Sequence, residues 1–338
     1  MASCTPTHRG TNLPADWPSL LDQSIRSPVE LCRRLDLDPT LGVEAESVCG
    51  GFPLLVPKPY AARIRRGDPN DPLLRQVLPR TEETLATPGF DADPLGETAA
   101  RCGPGLLRKY RGRILMVTVG ACAVHCRFCF RRHFPYSDCP QNAVQRASVL
   151  GRIAADRSVH EVILSGGDPL MLPDAELARL LTQLAEIPHV RRVRVHSRMP
   201  VVLPQRITHE LVDLLRSSRL TPIVVVHVNH AAEIDGPVVD GFSRLIDAGV
   251  PVLSQTVLLR GVNDRADILA ELFGRLVDLR VVPYYLHQLD SVAGAAHFQT
   301  SIETGKSLVA ALRARLPGYA VPRYVRETPG GDHKEILA

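Results

Sequence analysis

From about residue 111 onward, short apolar runs alternate with amphipathic stretches six times, and this alternation restricts the chain to few folds. The apolar runs near 113–119, 161–165, 191–196, 222–228, 251–258 and 280–286 have the length and composition of strands. Between and after them, stretches near 142–157, 174–186, 206–217, 238–248, 264–278 and 301–315 place apolar residues at helical spacing. Strands joined by helices pair in parallel, so six β/α units imply a parallel sheet curved into a barrel or part of one, (β/α)6 in type. A closed eight-stranded barrel would need more chain than remains. The polar motifs fall just after the strands, which gathers them at the C-terminal face where sites form in such sheets.

The first hundred residues read differently. They are punctuated by Pro and Gly, with helical stretches around 17–35 and 72–87 and a turn run Gly67-Asp68-Pro69-Asn70-Asp71-Pro72. The expected organisation is a helical cap over 1–100, the partial barrel over 101–318 and a short C-terminal tail over 319–338. A length of 338 residues suits one large domain with an extension, and 45% hydrophobic with 22% charged residues describes a soluble globular chain. No leader pattern and no apolar run of about 20 residues is present, so a cytoplasmic protein without membrane contact is expected. The formal charge of +4 is modest and forms no concentrated stripe, so no direct nucleic-acid contact is expected.

Eight cysteines in a cytosolic chain read as thiols and metal ligands rather than disulfides. Cys4, Cys32, Cys49 and Cys102 have no ligand spacing and read as structural thiols. Cys122, Cys126 and Cys129, in CAVHCRFCF directly after the first strand, have C-x3-C-x2-C spacing, which offers three thiolates to a four-iron cluster and leaves one iron open. Zinc or a structural role remains the alternative for three clustered cysteines, and Cys139 remains open as a fourth ligand. Arg131, Arg132 and His133 follow the triplet and suit an anionic ligand.

After the second strand, SGGDPL places Gly166 and Gly167 before Asp168, which makes either a tight turn or a close backbone approach to a ligand with an acid for an ammonium group. The third and fourth strands end in His196-Ser197-Arg198 and His227-Val228-Asn229-His230, either satisfied structural groups or ligand contacts on the cysteine face. Tyr110 and Arg113 precede the first strand in KYRGR, a surface loop or a phosphate contact. Only four lysines, Lys58, Lys109, Lys306 and Lys334, accompany 36 arginines, so a covalently held aldehyde cofactor must use one of the four. Lys334 lies in RETPGGDHKEILA, either an exposed tail or one bent back over the barrel mouth by its glycines.

The cysteine spacing behind the first strand resembles the radical S-adenosylmethionine superfamily, and CRFCFRRHFPY is similar, more narrowly, to the lysine 2,3-aminomutase family, over about residues 100 to 338. The resemblance implies a [4Fe-4S] cluster on Cys122, Cys126 and Cys129 that binds S-adenosylmethionine at its open iron. It implies Gly166, Gly167 and Asp168 beside the methionine part of that molecule, and His196, Arg198, His227 and Asn229 around its nucleoside and the substrate. It implies pyridoxal 5′-phosphate held by Tyr110, Arg113 and Gln255 with Lys334 as the Schiff-base lysine. Arg131 corresponds to the residue that takes the substrate carboxylate, and Asp290 and Glu327 to the acids that hold the remote ammonium of L-lysine, features that disfavour glutamate as substrate. The implied reaction is migration of the amino group from C2 to C3, begun by a 5′-deoxyadenosyl radical and needing an electron donor such as flavodoxin or ferredoxin. CFRRHFPY and an end four residues after Lys334 resemble the bacterial branch that supplies β-lysine for elongation factor P and its lysyl ligase. Departures from the longer free-lysine enzymes, Gly330-Gly331-Asp332-His333 and the absent extension, leave their zinc site and tetramer without support here. A free-β-lysine pathway enzyme, a glutamate 2,3-aminomutase and a non-catalytic iron–sulfur protein are the alternatives.

Overall fold

The computed structural model describes residues 16–140 and 142–338; Cys4 lies outside them. Ten strands form one sheet whose spatial order is the chain order: β1 Arg101–Gly103, β2 Leu106–Leu107, β3 Arg113–Val119, β4 Glu161–Gly166, β5 Arg192–Ser197, β6 Thr221–His227, β7 Val252–Val257, β8 Val282–His287, β9 Arg323–Arg326 and β10 Glu335–Ile336. The pairs from β3 through β9 are parallel, and the flanking pairs β1/β2, β2/β3 and β9/β10 are antiparallel. The six expected strands are β3 to β8. The parallel run continues through β9, and the sheet ends in short antiparallel edges without closing.

Helices Ala143–Ala155, Asp174–Ala185, His209–Ser217, Gly236–Asp247, Ala266–Asp278 and Ile302–Arg313 cover the outer face, within a few residues of the expected ranges. Several of them start on side-chain caps: Thr208 accepts from Leu211 N, Asp235 from Val238 N and Ser301 from Thr304 N. Strand residues alternate between the two faces. In β4 and β7 one set, such as Val162, Leu164 and Val252, is buried under the helices, while Ile163, Ser165, Gln255 and Val257 turn to the inner cavity.

The segment expected to be a tail belongs to the sheet. β9 pairs Arg323 with Tyr285, Tyr324 with Leu286 and Val325 with His287, and β10 folds back on it with Glu335 opposite Arg326. Four residues with charged ends are too short and too polar to reveal a strand by pattern; pairing with β8 supplies what propensity does not. Gly305 makes room for it, because a Cβ there would lie 2.2 Å from the Tyr324 ring, whose hydroxyl donates to Gln288. The turn that carries Lys334 is thereby anchored from both sides.

In the N-terminal region, the expected helices over 17–35 and 72–87 are broken into Trp17–Asp22, Pro28–Arg34, Pro72–Arg75 and a single 3-10 turn, Thr81–Thr84, and Pro39–Ser47 is an additional helix. Proline is the reason: it starts a helix well after an Asp or Ser cap, as at Ser27-Pro28, Asp38-Pro39 and Asp71-Pro72, and breaks one that reaches it. Among the described residues no helix is long and apolar enough to cross a membrane.

Candidate active site

A cavity of about 610 Å3 opens at the C-terminal ends of the parallel strands; every cluster, cofactor and substrate residue implied by the family resemblance lines it except Asn229, whereas His133 and His230 do not line it. Its walls follow the two-residue period of the strands: Arg194, His196 and Arg198 from β5 and the turn after it, Tyr285, His287 and Leu289 from β8, and Arg323, Val325 and Glu327 from β9.

The cysteine loop follows β3. It is locked from below by the turn after β4, where Gly167 N donates to Val119 O at 2.7 Å and Asp168 N to Ala121 O at 2.8 Å. These contacts require glycine: a Cβ on Gly167 would sit 2.2 Å from Ala121 O, and Gly166 has φ +129 with Val119 O 2.5 Å from its own Cβ position. The N-terminal region clamps the loop from the other side. Arg127, fully buried, pairs Nε and Nη2 with Glu83 at 2.9 and 2.6 Å and donates from Nη1 to Phe52 O, while its main-chain N–H donates to Gln76 O. Arg132 reaches the same Glu83 at 2.8 Å.

Cys122, Cys126 and Cys129 all face the cavity, whereas Cys139 packs with Leu107 and Val117 in a separate apolar cluster outside it. Burial pushes the thiol of Cys122 well up and that of Cys129 to about 11. Such thiols hold their protons until a metal displaces them, as cluster ligands do. Among the described residues no three His, Cys, Asp or Glu side chains converge as a single ion requires. A cubane presents a different iron to each thiolate, so the three cavity-facing cysteines can hold one through three of its irons.

One expectation for the glycine-rich turn is corrected. Asp168 is not available to an ammonium group: its oxygens accept from Leu170 N, Ser197 Oγ, Arg198 N and Met199 N at 2.8 to 3.1 Å. The buried carboxylate instead ties the turns after β4 and β5 together, a positioning role.

Arg198 is 6% exposed and reaches four groups. Its main chain bonds Asp168, Nη1 donates to Cys126 Sγ at 2.7 Å, and Nη2 donates to Gln76 Oε1 at 2.6 Å and Glu233 Oε2 at 3.1 Å. Asn229, fully buried behind the wall, accepts from Val257 N, donates to Gln76 and accepts from His227 Nε2 at 3.1 Å. Because the Asn229 oxygen is fixed by Val257 N–H, His227 carries its proton on Nε2 and presents Nδ1 as an acceptor. Burial and the nearby Arg198 hold the His227 pKa down to about 3, so the ring is neutral. His196 and His287 are likewise held neutral by burial.

The lysine cluster is a chain of alternating charges. Lys334 Nζ bonds Glu327, the other oxygen of Glu327 lies 3.2 Å from Lys109 Nζ, and Lys109 lies 3.4 Å from Glu97. Glu97, 3% exposed, forms a two-point pair with Arg131 at 2.7 and 2.8 Å, and Arg131 Nη1 donates to Ser165 Oγ. Burial, with the cations Lys109, Arg194 and Arg113, lowers Lys334 to about 8, so a substantial fraction is free amine in mildly alkaline solution. Burial raises Asp290 to about 6, against the pull of Lys334 and Lys109. Tyr110 stacks under Arg113, whose Cζ is 4.9 Å from the ring centre, and burial first of all raises the phenol to about 12. Gln255 turns into the cavity from β7. The buried nitrogens Arg113 Nε, Arg194 Nε and His196 Nε2 have no protein partner. Two orphaned guanidinium donors and an unpartnered imidazole nitrogen, beside an amine of lowered pKa, fit an anionic aldehyde cofactor.

Glu97, Gln76 and Glu233 were not legible as site residues in the sequence; Lys109 was one of the four candidate lysines and lines the cavity beside Lys334. Arg194, His287 and Arg323 were recoverable, since each stands two residues from a cavity-facing position on its strand.

Residues 116–273 match the family model of the Radical SAM superfamily. The chain is 45% identical over 327 residues to the L-lysine 2,3-aminomutase of Escherichia coli K12, covering 95% of this chain and 94% of that one. It is 42% identical to that of Haemophilus influenzae, over 96% of each, and 40% identical to that of Clostridium subterminale over 81% of this chain and 66% of the relative. With the fold and the cysteine loop already in place, these identities decide the matter: the chain belongs to the L-lysine 2,3-aminomutase family of the radical SAM superfamily.

Proposed function

We propose that this chain converts L-lysine to β-lysine within the cavity, using a [4Fe-4S] cluster on Cys122, Cys126 and Cys129, S-adenosylmethionine, and pyridoxal 5′-phosphate on Lys334. The observation that carries the reading is one cavity lined both by three cysteines after β3 and by a lysine amine among paired carboxylates. When bound, the cluster and S-adenosylmethionine supply a carbon radical, and pyridoxal phosphate supplies an imine able to spread unpaired spin.

The chain's own residues do the alignment. Arg131 keeps two of its five N–H donors beyond those given to Glu97 and Ser165, enough to take a substrate carboxylate oxygen. Its guanidinium is already oriented by Glu97, so little side-chain entropy is lost on binding. Lys334 contributes its amine. Once its positive charge is gone, Glu327 has lost one of two cations and can accept the incoming side-chain ammonium beside Asp290. A substrate carboxylate at that place would face two acids, which favours lysine over glutamate. Tyr110 and Arg113 offer a ring and a cation to the cofactor, Gln255 a neutral amide, and His196 an unpartnered nitrogen.

We further assign the product to modification of elongation factor P, on the resemblance of CFRRHFPY to that branch, with flavodoxin or ferredoxin as reductant. The test is anaerobic reconstitution and reduction with S-adenosylmethionine, pyridoxal phosphate and lysine, with β-lysine read by chiral mass spectrometry. Lysine-dependent β-lysine, absent from Lys334→Ala, is the expected outcome; no product from a fully loaded enzyme would refute the reading. Adding elongation factor P and its lysyl ligase then tests the finer assignment, which fails if the β-lysine formed is not transferred.

A further inference from the structure

Arg198 emerges from the end of β5 and turns one arm of its guanidinium to the cysteine loop. Nη1 lies 2.7 Å from Cys126 Sγ, and Nη2 is shared between Gln76 and Glu233. The sulfur, the guanidinium, the amide and the carboxylate come from four separate parts of the chain: the loop after β3, the turn after β5, the N-terminal region and the turn after β6. Glu233 is fully buried and its oxygens are further held by Gln76 Nε2 at 3.0 Å and Asn229 N at 3.0 Å. The guanidinium is flanked by the Tyr60 and Phe128 rings, 5.7 and 5.4 Å from their centres, which keep water off it. A buried ion pair costs desolvation, and replacing it by apolar residues is often neutral or stabilising, so this arrangement is not explained by stability alone.

We infer that Arg198 sets the reduction potential of the cluster through its charged hydrogen bond to Cys126, and that Glu233 sets how much of that charge the sulfur feels. The inference rests on the three-cysteine cluster proposed above. Accepting one electron from an external reductant makes a cluster more negative, and a cation donating to a ligand sulfur favours the reduced form. The guanidinium therefore raises the potential. Glu233, on the far nitrogen, offsets part of the effect and fixes the fork so that Nη1 meets the sulfur. Arg198 acts on the cluster through its ligand sulfur.

The experiment is an EPR-monitored redox titration of the reconstituted full-length protein, without S-adenosylmethionine, using dithionite as reductant and iron content as the measure of loading. Arg198→Gln removes the charge while retaining an amide donor, and its potential should fall below that of the wild type, leaving a smaller reduced fraction at a given dithionite concentration. Glu233→Gln frees the guanidinium charge, and its potential should rise. Arg198→Lys keeps the charge and should lie nearer the wild type than Arg198→Gln does. Opposite signs for the two neutralising variants are what a purely structural pair would not produce. Unchanged potentials in fully loaded variants, shifts of the same sign, or failure of both neutralising variants to hold a cluster would overturn the inference. A wild-type protein that takes up no cluster would instead overturn the reading on which it rests.

Discussion

Around the cysteine loop, buried charges are answered by the scaffold: Arg127 and Arg132 by Glu83, Arg198 by Glu233, Asp168 by main-chain N–H groups. Around Lys334 they are answered by one another, in the chain Lys334, Glu327, Lys109, Glu97 and Arg131 that runs back to within two residues of Cys129. The first region is a mount, fixed before any ligand arrives. The second is a set of exchangeable pairs, in which an incoming ammonium or carboxylate can replace a protein group of the same sign. Arg113 Nε, Arg194 Nε and His196 Nε2 are buried without a protein partner in the cavity walls away from the cysteine loop, and Arg132 Nε and Arg198 Nε are unpartnered on the loop side. A fixed mount suits a cluster that must not move, and exchangeable charge suits a substrate that enters and leaves.

The contrast can be broken in graded steps. Lys334→Ala has the largest expected effect, abolishing both the imine absorbance of added pyridoxal phosphate and product formation while iron content stays at the wild-type level. Persistence of the imine, mapped by borohydride reduction to Lys109 instead, would show the two amines to be interchangeable. Glu97→Gln removes one member of a buried two-point pair and should cost about 3–5 kcal/mol in urea unfolding; a loss under 1 kcal/mol would mean that Arg131 finds another partner. Asp290→Asn should raise the KM for lysine roughly tenfold to a hundredfold, the worth of a charged hydrogen bond, with little change in cluster loading.

The pH dependence sharpens the same distinction. Asp290 must be ionised to hold an ammonium, and its pKa is raised to about 6, so KM for lysine should climb as pH falls through about 6 and level off above it. The Lys334 amine is lowered to about 8, so the rate of imine formation with added pyridoxal phosphate should increase with pH up to about 8 and then flatten. A profile still rising steeply toward the ordinary lysine pKa would contradict the burial argument. The smallest effect belongs to the rim: Arg326 pairs with Glu335 across β9 and β10, both about half exposed, and Arg326→Ala should change stability by less than about 1 kcal/mol.

The fold was legible where periodicity is strong. Each of the six central strands and their helices declared itself by apolar spacing, and the cysteines by their position after β3. What stayed hidden depends on pairing across long sequence distance. β9 is a strand because β8 lies beside it, and Glu97 is a site residue because Arg131, 34 positions later, turns toward it. No local pattern encodes either. Asp168 was misjudged for the related reason that an acid after two glycines looks available until the turn after β5 is folded against it. The cap likewise reads as a separate layer in sequence, yet Phe52, Gln76 and Glu83 are partners of the cysteine loop.

The central claim is that the cysteine loop and the lysine cluster serve one reaction in one cavity. Lysine deuterated at C3, incubated with the reduced, fully loaded protein and S-adenosylmethionine, tests it directly by mass spectrometry of the recovered nucleoside and amino acid. The account predicts deuterium in 5′-deoxyadenosine and in β-lysine. Cleavage of S-adenosylmethionine that leaves lysine unchanged and the nucleoside free of deuterium would contradict it.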